Sequence, residues 1–133
     1  MVGVVVVSHS RKVAEGIKEL ADQLVGENSM IVAAGGLEDE SIGTDAVIIM
    51  EAIKSADKGE GVVVMVDLGS AVLSAGLAIE FLEDSQAGRV KIADAPILEG
   101  TISAAVQAST GDRLPGVLAA AIEARELVKY TDL

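Results

Sequence analysis

Two unbroken runs, Val4-Val5-Val6-Val7 and Val62-Val63-Val64-Met65-Val66, constrain this chain more than any other feature. β-branched side chains favour extended backbone. A strand with one wet face alternates apolar and polar residues, so a run without alternation suits a strand covered on both faces, as in a parallel sheet between helices. Strands are therefore expected at Val2 to Val7, Met30 to Ala34, Gly61 to Val66 and Val90 to Ala93, with segments of helical period between them. This order predicts an α/β fold: a single doubly wound domain over residues 1–133, with a mostly parallel central sheet of at least four strands and helices on both faces.

Val13, Ile17, Leu20, Ala21 and Leu24 share one helical face and predict a first helix ending near Gly26. Ala46, Ile49, Met50 and Ile53 mark a second, with Thr44 placed to cap it. The third, from about Ser70 to Leu82, has no charge before Glu80. Val72, Leu73, Leu77, Ala78, Ile79, Phe81 and Leu82 offer more apolar surface than one sheet face can cover, which predicts a homodimer through this helix. Ile102, Ala105 and Val106 mark a fourth helix after Pro96, and Leu114, Val117, Leu118, Ala121 and Val128 a last one.

Composition narrows the function. Ten Lys+Arg against 21 Asp+Glu give a net charge of -11, a field that opposes binding to nucleic-acid phosphates or an anionic bilayer. Phe81 and Tyr130 are the only aromatic residues, too few for a base-stacking platform. No cysteine and a single histidine exclude thiolate nucleophiles, disulfides and multi-histidine zinc sites, and no metal or cofactor is expected. No stretch reads as a signal peptide or membrane span, so a cytoplasmic protein is the expectation.

Ligands of open parallel sheets gather at the carboxyl ends of the strands. The first strand exits into Ser8-His9-Ser10, the second into Gly35-Gly36 and the third into Asp67-Leu68-Gly69-Ser70, which brings the only histidine, a carboxylate and glycine-bearing helix starts to one edge. Asp67 could accept the Nδ1 proton of His9 and leave Nε2 as a nucleophile. The bland reading of Asp67 is a partner for loop amides, and Ser8 and Ser10 read as turn and cap groups. Gly43, Thr44, Gly69 and Ser70 place amides and hydroxyls at two helix starts, a geometry that receives phosphoryl oxygens. The lysine-bearing P-loop motif is missing, so ATP is not the expected ligand.

Four motifs in order, Ser8-His9-Ser10, Gly35-Gly36 with Ile42-Gly43-Thr44-Asp45, Asp67-Leu68-Gly69-Ser70-Ala71, and Asp94-Ala95-Pro96 with Glu99-Gly100, resemble the DhaM family along essentially the whole chain. DhaM is the phosphotransferase subunit of the dihydroxyacetone kinase that depends on the bacterial phosphotransferase system (PTS), a relative of the IIA components of mannose-family sugar transporters. The transporter proteins typically read Asp-x-x-Gly-Gly-Ser-Pro after the third strand, and Asp67-Leu68-Gly69-Ser70-Ala71 favours the kinase subunit. The resemblance implies that His9 takes a phosphoryl group from phospho-HPr and passes it to ADP held by the DhaL subunit, with DhaK downstream. Asp67 would orient the ring, and Gly43, Thr44, Gly69 and Ser70 would hold the phosphoryl oxygens. Some relatives continue into HPr-like domains; for a chain ending at Leu133 a separate donor is expected. Gly76 departs from the larger or acidic residue expected there, which puts contacts of the third helix in question.

Other readings remain open. A receiver domain would need an acidic pair where Ser8-His9-Ser10 stands, and a hydrolase using Ser70, His9 and Asp67 would need a nucleophile elbow that is missing. A IIA component passing phosphate to a IIB component, or a non-catalytic binding module, would fit the same architecture.

Overall fold

A computed structural model describes residues 1–132. Its strands are β1 (Gly3–Ser8), β2 (Ile31–Gly35), β3 (Val62–Val66) and β4 (Val90–Ile92); its helices are α1 (Arg11–Val25), α2 (Ala46–Ala56), α3 (Gly69–Glu80), α4 (Asp84–Ala87), α5 (Ile97–Ser109) and α6 (Leu114–Glu123). A 3-10 turn over Ala124–Glu126 follows α6. The domain expected over 1–133 reaches Leu133, which lies outside the described residues.

The strands form one parallel sheet in the order β2-β1-β3-β4, with Val4 opposite Ile31 on one side and Val63 on the other. Strand side chains point alternately to opposite faces, and here both faces are covered. Val2, Val4 and Val6 pack with Val63 and Met65 beneath α1, α5 and α6. Val5 and Val7 pack with Val62 and Val64 beneath α2 and α3. Val5, Val6 and Val7 are wholly buried, and each such side chain stabilises the fold by about 1.5–3 kcal/mol. The unbroken valine runs are thus the two central strands of a doubly wound domain.

Strand bounds match the expected ones to within one residue, and four details differ. Asp45, not Thr44, caps α2: its carboxylate accepts from the amides of Val47 (2.8 Å) and Ile48 (3.3 Å). Val128 lies beyond the last helix and is exposed, because the helical path ends at Glu123 and the following 3-10 turn leads the chain off the sheet. The four-residue α4 is too short to show a helical period. Along α3 and the two residues after it, Ala78 and Leu82 belong to the core rather than to a free face, while Leu73 (78%), Phe81 (50%), Leu77 (44%) and Val72 (41%) are exposed. A Cβ on Gly76 would meet only open space, so α3 loses no internal contact to that glycine.

Two ties set the loops that follow β1 and β2. Gly36 has φ +73° and donates its amide to the carbonyl of Ser8 (3.1 Å), a conformation that a side chain at this position would oppose. A Cβ on Gly35 would lie 2.5 Å from the Ser10 carbonyl, so the bare glycine lets the start of α1 rest on the end of β2.

Candidate functional site

In this strand order the chain runs outward from β1 to β2 and, on the other side, from β3 to β4. The gap between the carboxyl ends of β1 and β3 is therefore the switch point of the sheet, where open α/β folds hold their ligands. His9 follows β1 and Asp67 follows β3. The amide of Asp67 donates to the Val7 carbonyl (3.2 Å), which carries the strand pairing one step further and sets the two residues together.

The Asp67 carboxylate is fully engaged. Oδ1 accepts from His9 Nδ1 (3.0 Å) and the Leu68 amide (2.8 Å), and Oδ2 accepts from the Ser8 hydroxyl and the His9 amide (each 2.9 Å). Partial burial alone would raise the carboxyl's pKa. The amide and ring of His9 and the Ser8 hydroxyl outweigh it and hold the group below the usual carboxylate range.

That ionisation decides the histidine. A carboxylate only accepts, so Nδ1 carries the proton and donates it to Asp67. The lone pair then lies on Nε2, where the Ser70 hydroxyl donates to it at 2.8 Å. The His9 side chain is 22% exposed, so the ring is not sealed from solvent. The arrangement sets one tautomer, protonated on the Asp67 side with its lone pair on the Ser70 side.

The surrounding loops fix the backbone of His9. The Gly43 amide donates to the His9 carbonyl (2.9 Å). The amide expected to meet phosphoryl oxygens is here engaged in holding the histidine backbone. Thr44 stands beside it with its hydroxyl 2.6 Å from that of Ser74. Gly69 and Ser70 form the first turn of α3, whose amides have no partner within the helix. Ser10 caps α1 by accepting from the Val13 amide (3.3 Å).

The structure therefore brings His9, Asp67, Ser70, Gly69 and Thr44 to one edge, with the Gly43 amide bonded to the His9 carbonyl. Ser8 does more than turn the chain, since its hydroxyl links Asp67 to the Ser10 amide (3.1 Å). Ser74 was not foreseen. Asp94 and Glu99 pair instead with Arg125 (3.3 Å) and Lys129 (2.7 Å). A cleft of about 410 Å³ runs from Asp67, Leu68 and Gly69 along the end of β4 to Ala95. Among the described residues no cluster of three or more His, Asp or Glu is arranged to hold a metal ion, and no helix is long and apolar enough to cross a membrane.

Known proteins resemble this chain. Residues 3–118 match the EIIA-man family model, described as the PTS system fructose IIA component. The chain is 44% identical over 129 residues to "PEP-dependent dihydroxyacetone kinase, phosphoryl donor subunit DhaM" of Escherichia coli (strain K12), covering 95% of this chain but only 27% of that protein. The chain thus spans about a quarter of the length of that longer relative. A relative of matching size is "PEP-dependent dihydroxyacetone kinase 2, phosphoryl donor subunit DhaM" of Listeria innocua, 39% identical, with 80% of this chain and 86% of that one aligned. Among solved structures, "Crystal structure of unknown function protein EF1359" superimposes with a TM-score of 0.82 at 38% identity, covering 92% of this chain and 93% of that one.

Proposed function

The chain belongs to the EIIA-man family, among its DhaM phosphoryl donor subunits, and from that premise we propose that it relays a phosphoryl group through a phosphohistidine at His9. The donor is phospho-HPr and the acceptor is ADP bound to DhaL, with DhaK using the ATP downstream. The observation that carries this reading is the orientation of the ring, with Nδ1 donating to Asp67 at 3.0 Å and Nε2 on the opposite edge, met by the Ser70 hydroxyl at 2.8 Å.

In the first half-reaction, Nε2 attacks the phosphorus of the donor's phosphohistidine in line. The Nε2–P bond forms as the donor's N–P bond breaks, and the donor nitrogen keeps the electron pair. Positive charge grows on the ring and is met by the ionised Asp67 through Nδ1–H. In the second half-reaction a terminal ADP oxygen attacks the phosphorus, and the Nε2–P pair of electrons returns to the ring. Such transfers depend on alignment and charge dispersal more than on covalent help.

Ser70 guards Nε2 at rest; on arrival of the phosphoryl group its hydroxyl turns to an oxygen of that group, joined by the Gly69 and Ser70 amides and the Thr44 hydroxyl. We place the acting protein in the cytoplasm as a homodimer, with the exposed side chains of α3 against their symmetry mates.

Enzyme I, HPr and phosphoenolpyruvate together should label the chain once, on His9, in a bond that acid breaks and base spares. ATP alone should not label it, and His9→Ala should abolish labelling. Phosphate found on Ser8, Ser10, Ser70 or Asp67 would refute the relay, and discharge to a IIB component rather than to DhaL-ADP would make the chain a transporter subunit.

A further inference from the structure

The Thr44 hydroxyl lies 2.6 Å from that of Ser74, and capping does not account for either group. Asp45 already caps α2, leaving the Thr44 side chain free of that duty. Ser74 sits inside α3, among Ala71, Ala75 and Ala78, which face the core. Serine is a weaker helix former than alanine, and inside a helix its hydroxyl commonly bonds the carbonyl one turn back. Here it instead meets a loop residue 30 positions away in sequence.

Its place on the helix matters. Ser74 lies one turn beyond Ser70, so one face of α3 carries both hydroxyls, about 5–6 Å apart at their Cβ atoms. The first reaches Nε2 of His9 at 2.8 Å, and the second reaches Thr44. From the other side, the Gly43 amide grips the His9 carbonyl at 2.9 Å. Thr44 is thereby pinned twice, to the His9 backbone through its neighbour and to the helix that carries Ser70 through its own side chain.

A hydroxyl has one proton and two lone pairs. If Thr44 donated to Ser74, its proton would be committed and could not serve an anion. If Ser74 donates, Thr44 is held by an accepted bond while its own proton stays available. A phosphoryl group on Nε2 brings up to about two negative charges and three acceptor oxygens, and that field orders the two hydroxyls in series, Ser74 to Thr44 to phosphoryl oxygen. Each bond in such a chain polarises the next. No proton changes owner; both hydroxyls only rotate.

We infer that Ser74 is a positioning residue for phosphoryl transfer at His9, aiming and polarising the Thr44 hydroxyl without touching the phosphoryl group. This rests on the relay reading above and adds a residue to it.

The test compares the full chain with Ser74→Ala, Ser74→Thr, Thr44→Val and the double variant Thr44→Val/Ser74→Ala, using phospho-HPr as donor. Ser74→Ala should lower kcat about tenfold, the low end for a weakened hydrogen bond to a charged group, with KM for phospho-HPr within about twofold. Ser74→Thr should restore most of the rate, and the double variant should be no slower than Thr44→Val alone. Thermal melts report folding separately, and alanine suits a helix interior. A Ser74→Ala rate equal to that of the unaltered chain, a change confined to KM, or losses that multiply in the double variant would overturn the inference while the relay stands. An unaltered chain that phospho-HPr cannot label would remove the relay and this inference with it.

Discussion

Asp67→Asn keeps the shape of the side chain but removes its charge and one of its two accepting oxygens. In the native site those oxygens serve four donors: His9 Nδ1 and the Leu68 amide on one, the Ser8 hydroxyl and the His9 amide on the other. An asparagine can satisfy one pair only. With its oxygen toward Nδ1, its NH2 group opposes the His9 amide, and the developing imidazolium loses its counter-charge. With the amide reversed, NH2 faces Nδ1, which must then give up its proton; Nε2 becomes N–H and cannot attack. A hydrogen bond to a charged group contributes about 1.5–3 kcal/mol, which corresponds to roughly 10- to 150-fold in rate. The reversed fraction adds to that loss, so rapid-quench transfer from phospho-HPr should slow about a hundredfold or more. The label should remain on His9, because Nδ1 is closed in against residue 67. Transfer within about twofold of the unaltered chain, in a protein that melts normally, would refute the claim that the Asp67 charge acts on the ring.

Two further predictions concern the scaffold. Asp57 has a fully buried side chain that accepts from Arg89 Nε and Gln86 Nε2 (each 2.9 Å) and from the Gly59 amide (2.9 Å); Asp57→Ala should cost about 2 kcal/mol and about 8 °C in Tm near neutral pH. Burial raises this carboxyl's pKa, but its donors prevail and hold it below 3.8, so its stabilisation is complete above that pH and fades as pH falls through the folded-state value; melts at stepped acid pH should show the variant and the unaltered chain converging. Light scattering at tens of micromolar protein should give the mass of a dimer, and Leu73→Glu, at the most exposed apolar side chain of α3, should give a monomer; a monomeric unaltered chain would reject the α3 interface.

How legible each part was depends on the range of the interaction that decides it. The valine runs announced buried central strands because burial on both faces acts on every residue of β1 and β3. His9 and Asp67 could be placed together once both were read as strand exits, since a parallel sheet aligns its carboxyl ends. Adjacent capping candidates were harder: Thr44 and Asp45 both suit an N-cap, and a single residue of register decides between them. Gly43 looked like a free phosphoryl donor because its bond to the His9 carbonyl arises from the fold of a loop. Ser74 carried no signal at all. Its partner is set by how α2 and α3 pack, and a serine in an alanine-rich helix has no period to betray it.

The bond between His9 and Asp67 spans 58 residues of sequence and joins the ends of adjacent central strands. Such non-local contacts are late to close during folding, because the loop entropy between them must first be overcome. On the ribosome, the first strand and helix emerge with an unoriented imidazole, and the tautomer is set only when β3 zips onto β1. A chain that has not paired β3 with β1 therefore lacks the oriented ring, and in the finished protein the bond rests on the pairing of the two central strands. Hydrogen exchange at the amides inside β1 and β3 should accordingly follow global unfolding, whereas the exposed Glu38–Ser41 turn exchanges on its own.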